Sequence, residues 1–325
     1  MKKKIIVTLF IIISSCFSYT QGQSETCHKN YEDRNSLGTI TCFAPDSLFL
    51  LGQYTEAIIK LKQDTIQLEY IKFYQLAANY ALLGEIDSSF LYLNKFIDTS
   101  PDDRIIFVDN RWDVLRKDTA QWNSLINKIE TAFLQCIDSV PNKKLALRLF
   151  YLSALDQKYR LYGVILRQLP DGDTLYIESF DLDLFLSQQI DSIIRHYGFP
   201  GISMVGKLAS TSAFLLVQHS HKIHKYYKAV KNGYEQGDVI PQQYAMMTDR
   251  CLMQKRKKQI YGTQGFANKR IEKKYGGHGI IWPVKDFKHV NERRKNVGIT
   301  TSIEEYAKSI DCIIPEKYYK RRKKY

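Results

Sequence analysis

Tyr70–Asp103 reads YIKFYQLAANYALLGEIDSSFLYLNKFIDTSPDD, and the N-terminal half is read outward from it. Phe73, Leu76, Ala77 and Tyr80 recur at the spacing of one helix face. Leu83-Gly84 ends that helix, with Gly able to take the left-handed cap. A second helix follows, carrying Phe90, Leu93, Phe96 and Ile97, and Pro101 stops it. The pattern predicts helix, Gly turn, helix, Pro stop. One such pair cannot bury its own apolar face, so stacked neighbours are expected.

Upstream, Leu51-Gly52 and Ala57 repeat the turn at a spacing of 32 residues. Downstream, a degenerate unit is expected from Asp109 to Leu134, with Trp112, Leu115, Trp122, Leu125 and Ile129 as its apolar face. These landmarks resemble the tetratricopeptide repeat, whose consensus spans 34 residues. Phe73 stands at the first aromatic, Leu76-Ala77 at the Leu-Gly pair, Tyr80 at the helix-one Tyr, and Pro101 at the terminal Pro. Ser89 departs from the usual Ala, and Phe96 is bulkier than the small residue of the family. The resemblance implies a groove for a protein or peptide partner. A short array equally serves to brace the domain that follows.

Composition agrees with a folded protein: of 325 residues, 44% are apolar and 25% charged, which excludes disorder and a polytopic membrane protein. The net charge of +13 is unevenly placed. Residues 251–325 hold 20 Lys and Arg against 7 Asp and Glu, whereas residues 1–250 hold 27 of each. Such an end attracts an anionic envelope polymer, acidic lipid or nucleic acid, or simply forms a solvated basic face.

The first residues read as an export signal. Lys2, Lys3 and Lys4 precede an apolar run from Ile5 to Ile13 that is too short to span a bilayer. Two processing outcomes fit. Ile13-Ser14-Ser15-Cys16 resembles a bacterial lipobox, in which Cys16 is lipidated; Thr20-Gln21-Gly22 offers small residues to an ordinary signal peptidase. Export to the periplasm or outer envelope follows from either, and it argues against nucleic acid and ATP as partners. No GxxxxGK[ST] loop and no GxSxG elbow is present. None of the six cysteines forms a CxxC pair, and Cys27 and Cys42 could close a short disulfide loop after export.

The expected plan is a signal peptide over 1–22, helical repeats over 23–140, a helical domain over 141–312 and a basic tail over 313–325. The fold class is mainly α, with a compact helical domain carrying a small β-hairpin. Within that domain, helices are expected from Lys143 to about Tyr162, over Asp181–Tyr197, Ala209–Gln218, Lys222–Glu235 and Pro241–Gln254, and two short ones close it. Pro170-Asp171-Gly172 reads as a turn between Val164–Leu169 and Thr174–Ile177, and Gln259–Ala267 with Gly279–Val284 as hairpin strands.

Several short motifs occur in one order: Leu155-Asp156-Gln157 with Arg160, Tyr197-Gly198-Phe199-Pro200, Val205-Gly206, Gln218-His219, Asp249-Arg250, Gln259-x-Tyr261-Gly262-Thr263-Gln264, Pro283, Arg293-Arg294 and Gly298. Together they resemble an uncharacterised bacterial domain of unknown function, found behind helical repeats in exported proteins. The resemblance covers about residues 145–310 and carries no established activity. Two positions depart from its pattern: His221 where an acidic residue often follows Gln-His, and Arg256 where a Gly often precedes the Gln-x-Tyr-Gly-Thr-Gln motif.

His219, Asp249 and Arg250 are the candidate catalytic residues. Imidazole is suited to acid or base work at neutral pH, which makes His219 the candidate acid or base, with Asp249 to orient it and Arg250 to clamp an anion. Gln157, Arg160, Gln218, Gln259, Tyr261 and Gln264 are the candidate ligand-binding residues, since amides and phenols both donate and accept. The same groups have architectural uses, as helix caps, ion pairs and hairpin fasteners. His219, His221 and His224 do not share one helix face, so no metal is expected, and nothing calls for a cofactor. Two functions therefore stand: an exported binding or scaffold protein of the envelope, or an envelope enzyme, a hydrolase among the options, working through His219, Asp249 and Arg250.

Overall fold

The computed structural model describes residues 47–67, 69–99, 104–137, 139–166, 172–220 and 222–319. The expected signal peptide, Cys16, Cys27 and Cys42 lie outside them, as do His221 and the end of the tail. The described chain is mainly α-helical with one small sheet. It falls into two compact units: residues up to 192 with 202–216, and residues 193–201 with 217 onward.

In the first unit, Glu69–Leu83 and Ile86–Thr99 form the expected helix pair. The turn between them closes by two bonds, Glu85 N–H to Tyr80 C=O at 2.9 Å and Gly84 N–H to Ala81 C=O at 3.1 Å. Gly84 holds φ +78°, so this is a Schellman cap. Gly52 repeats it 32 residues earlier, with Gln53 N–H bonded to Leu48 C=O and Gly52 N–H to Phe49 C=O. The tightly packed positions Ala57 and Ser89 keep the same spacing, and both are fully buried. Ser89 is tolerated there because its hydroxyl donates to Ala77 C=O of the facing helix at 2.8 Å.

The stretch after Pro101 departs from the repeat. Where another first helix is expected, the chain forms three short 3₁₀ turns, Arg104–Phe107, Asn110–Trp112 and Leu115–Lys117, before the helix Thr119–Cys136. Asp109 explains the change. It accepts from Arg111 N–H as the cap of the second turn, pairs with the Arg111 guanidinium at 2.6 Å, and takes the Tyr74 hydroxyl. Tyr74 in turn packs edge-on against Phe96 and Trp112 in the core, with ring centroids 4.9 and 5.1 Å away. Trp112, Leu115, Leu125 and Ile129 are buried as expected, and Trp122 lies under the Arg116 guanidinium at 5.0 Å.

Lys143–Leu166 and Gly172–Tyr197 are long helices, so Val164–Leu166 and Thr174–Ile177 are helical rather than strands. The i, i+3, i+4 repeat of the flanking apolar residues carries helix on both sides, and Pro170-Asp171 of the expected turn lie outside the described residues. Ile202–His219 is interrupted at Gly206, whose φ is +80°. A Cβ at that glycine would stand 2.9 Å from Ile137 Cγ2, which gives the Val205-Gly206 motif its packing reason.

The second unit contains Tyr227–Glu235, Pro241–Gln254, Lys269–Lys274, Val290–Asn296 and Ile303–Ser309. Its sheet has three strands. β1 (Gly265–Phe266) pairs antiparallel with β2 (Gly279–Ile281), which is the expected hairpin contact. β3 (Cys312–Ile313) adds parallel to the other edge of β2. Under the sheet, Ile281, Val284, Val290, Ile303, Tyr306, Ala307 and Ile310 form one apolar cluster. Ser302 and Glu305 close a capping box at the start of Ile303–Ser309.

Candidate functional site

The motif residues of the second unit converge on one loop, residues 259–264. Pro241 opens the helix Pro241–Gln254 at its first turn, where a missing N–H costs nothing. Eight residues on, that helix delivers Asp249 into the interior, fully buried. Its two carboxylate oxygens accept five contacts from the loop. Ile260 N–H reaches Oδ1 at 2.7 Å, Tyr261 N–H is shared between the two oxygens at 3.1 and 3.2 Å, and Thr263 gives both its N–H and its hydroxyl to Oδ2 at 2.9 Å. Burial pushes the Asp249 carboxyl up, and the backbone N–H groups of Thr263, Ile260 and Tyr261 pull it back.

The carbonyls of the same loop are gripped from the opposite side. Arg293 Nε donates to Ile260 C=O at 3.0 Å, and Arg294 Nη1 to Tyr261 C=O at 3.0 Å. Thr263 C=O accepts from the Tyr306 hydroxyl at 2.8 Å. Arg294 is 1% exposed and spends its other nitrogens on Thr301, at 2.8 and 2.9 Å. The peptide groups of residues 260 and 261 thus lie between a buried anion and two guanidinium groups, each taking one end of the peptide dipole.

Gln259 fastens the loop to itself. Its Oε1 accepts Gln264 N–H at 2.9 Å, while its Nε2 donates to Gln264 C=O at 3.1 Å and Trp282 C=O at 2.6 Å. The Gln264 amide receives Arg250 Nη1 at 3.3 Å and donates to Thr263 Oγ1 at 3.3 Å. Gly262 is required here. Its φ is +71°, and a Cβ would stand 2.3 Å from Ile303 Cδ1.

The loop therefore joins Asp249, Arg250, Gln259, Tyr261 and Gln264 in one hydrogen-bonded network. No His219–Asp249 hydrogen bond is present among the described residues. His219 and Gln218 end the helix Ile202–His219, and the buried Gln218 Nε2 has no partner among the described residues. Gln157 lies in the first unit, on Lys143–Leu166, where its Nε2 donates to Asp156 Oδ2 at 2.6 Å. Arg160 is on the same helix, and its side chain falls outside the described set. Among the described residues no group of three His, Cys, Asp or Glu side chains is placed to hold a metal ion.

The Tyr261 side chain leaves the network for an aromatic group on the flank. It packs with Tyr234 and Tyr244 against Ala245, Val297 and Ile299. Tyr234 and Tyr244 stack at 4.3 Å, and the Tyr227 and Tyr244 hydroxyls are 3.4 Å apart. Burial pushes the Tyr261 phenol up, and the nearby Asp249 charge adds to it.

Thr263, Tyr306 and the gripping roles of Arg293 and Arg294 are not evident from sequence. The adjacent arginines stand out in the motif order, but their targets are backbone carbonyls, which leave no residue-type signature.

Residues 173–317 match the model of a family of unknown function (DUF6624). Residues 173–317 are thus similar to a recognised domain of unknown function, as the motif order from Tyr197 to Gly298 implies, while Leu155-Asp156-Gln157 and Arg160 lie outside the matched residues. No curated protein and no solved structure matches the chain.

Proposed function

We propose that the protein is an exported binding or scaffold protein of the cell envelope, with Cys16 as its lipidation position. In this reading the helical first unit is tetratricopeptide-like and receives a protein or peptide partner, and the second unit is a rigid basic module. One observation carries the choice of scaffold over enzyme: the Asp249 carboxylate already accepts five contacts from residues 260–263. An enzyme built on His219 and Asp249 needs that carboxylate free to orient an imidazole. Exposed apolar side chains on the helical unit favour a partner there, among them Ile59 at 52%, Leu91 at 53% and Ile66 at 94% exposure. The repeated Schellman turns at Gly52 and Gly84 favour the repeat reading.

Cell fractionation combined with intact-mass measurement tests the proposal. The expected result is envelope-fraction protein lacking its first residues, with a mass shift abolished by Cys16→Ala if the lipobox is used. Full-length protein in the cytoplasmic fraction contradicts export. Hydrolysis of envelope glycans or peptides that disappears in His219→Ala contradicts the scaffold reading.

A further inference from the structure

Residues 255–285 contain nine Lys and Arg, namely Lys255, Arg256, Lys257, Lys258, Lys269, Arg270, Lys273, Lys274 and Lys285, against the single acid Glu272. All nine are exposed. None forms an ion pair with an acid among the described residues. The fold brings the two basic segments to one aromatic centre. Trp282 Nε1 donates to Lys257 C=O at 2.7 Å, which ties the indole to the 255–258 turn. The same ring packs edge-on against Phe266 at 5.6 Å, three residues before Lys269. Lys269–Lys274 follows as a short helix capped by Asn268, and Lys274 stands over the Tyr275 ring at 5.2 Å.

From this arrangement we infer that the face built by Lys255–Lys258, Trp282 and Lys269–Lys274 docks on an anionic lipid surface. Two features favour lipid over a polymer read at fixed positions. First, the free charges are mostly lysines, which act as mobile point charges. The arginines with fixed fork geometry, Arg293 and Arg294, are spent on backbone carbonyls instead. A diffuse field of headgroup phosphates needs charge density rather than bidentate geometry. Second, the half-buried Trp282 has its only donor satisfied internally, so its ring can enter the headgroup layer without stranding an N–H. No helix among the described residues is long and apolar enough to cross a membrane, so the contact is a surface one. This inference deepens the envelope reading by naming a partner, and rests on it only for where that lipid is met.

The test is sedimentation of the full chain with vesicles. One set is phosphatidylcholine alone, which measures any binding by the leader; the other holds about a third phosphatidylglycerol. Partitioning should rise at least tenfold with the anionic lipid and fall steeply with added salt. Lys269→Ser/Lys273→Ser/Lys274→Ser should lose about 100-fold, taking roughly fivefold per charge near the surface. Lys255→Ser/Lys257→Ser/Lys258→Ser should lose a similar factor, which covers the case where the first variant fails to fold by circular dichroism. Equal binding to both vesicle types, or wild-type binding by either folded variant, overturns the inference. So does preferential binding of a soluble polyuronate or oligonucleotide with no gain from phosphatidylglycerol. Vesicle binding by a chain that stays cytoplasmic removes the export reading and leaves this one standing; an exported chain that ignores anionic vesicles does the reverse.

Discussion

Arg256 occupies a left-handed helix-cap position of the kind that Gly84, Gly237 and Gly298 fill elsewhere in the described chain. The helix Pro241–Gln254 ends in a Schellman cap, with Lys257 N–H bonded to Leu252 C=O at 2.9 Å and Arg256 N–H to Met253 C=O at 2.8 Å. Arg256 therefore holds φ +54°. The same pair of bonds recurs at Gly84, Gly237 and Gly298. A non-glycine residue in this conformation costs about 1–2 kcal/mol. Replacing it by Gly adds roughly 0.5–1 kcal/mol of unfolded-state entropy on the other side. Arg256→Gly should thus stabilise the second unit by about 0.5–1 kcal/mol, a rise of roughly 2–4 °C in its thermal midpoint. Arg256→Ala is the control. It removes the same charge but keeps the left-handed strain, so its midpoint should stay within about 1 °C of the parent. Thermal unfolding followed by circular dichroism and urea titration reads both. Equal effects of Gly and Ala would refute the strain argument and put any change down to charge. A lower midpoint for Gly would mean that the Arg256 side chain makes a contact worth more than the strain.

Gly262→Ala should destabilise by about 2–3 kcal/mol, combining strain at φ +71° with the Ile303 clash. Adding Ile303→Val, which removes Cδ1, should recover part of the loss in urea titrations, and no recovery would point to strain alone. Asp109 gives the first unit a pH dependence. Burial pushes its carboxyl up, but the Arg111 guanidinium and the Tyr74 hydroxyl outweigh that and hold it below its ordinary 3.8. A depressed folded value means stability that is present above pH 4 or so and lost as pH falls further. The urea midpoint should drop as pH falls below about 4, and Asp109→Asn should start lower and flatten that drop. Burial also pushes the Cys312 thiol up, to about 11 from 9.0. At pH 8 its native alkylation by iodoacetamide should run about 100-fold slower than in urea, and peptide mass mapping that finds equal rates contradicts the burial.

Local rules made some elements readable. The Pro241–Gln254 helix is legible because Pro fixes its first turn, and Ser302 with Glu305 announces the helix that follows it. The Gly52 and Gly84 turns are legible because only glycine is cheap in the left-handed cap. The strand Cys312–Ile313 is too short to carry a period and owes its conformation to the neighbouring edge of β2. Residues from Asp109 to Lys117 look helical by spacing, but the buried Asp109 pairs wind them into 3₁₀ turns. At the candidate site the residue types were legible and their targets were not. Asp249, Gln259, Arg293 and Arg294 all bond to backbone, and backbone partners leave no trace in residue identity. Arg256 joins the two levels: the glycine expected near the loop motif matches the left-handed cap on which the chain places an arginine.

Asp249 acts as a structural clamp on the loop of residues 259–264. Asp249→Asn tests this role, because either orientation of the amide sets an NH₂ against N–H donors that now face carboxylate oxygens. Hydrogen-exchange mass spectrometry on this variant is the measurement to make. Amides of residues 260–264 should lose protection by about 3–5 kcal/mol, together with a matching fall in the stability of the second unit. Unchanged protection there, alongside loss of a His219-dependent activity, would contradict the clamp and return Asp249 to a catalytic role.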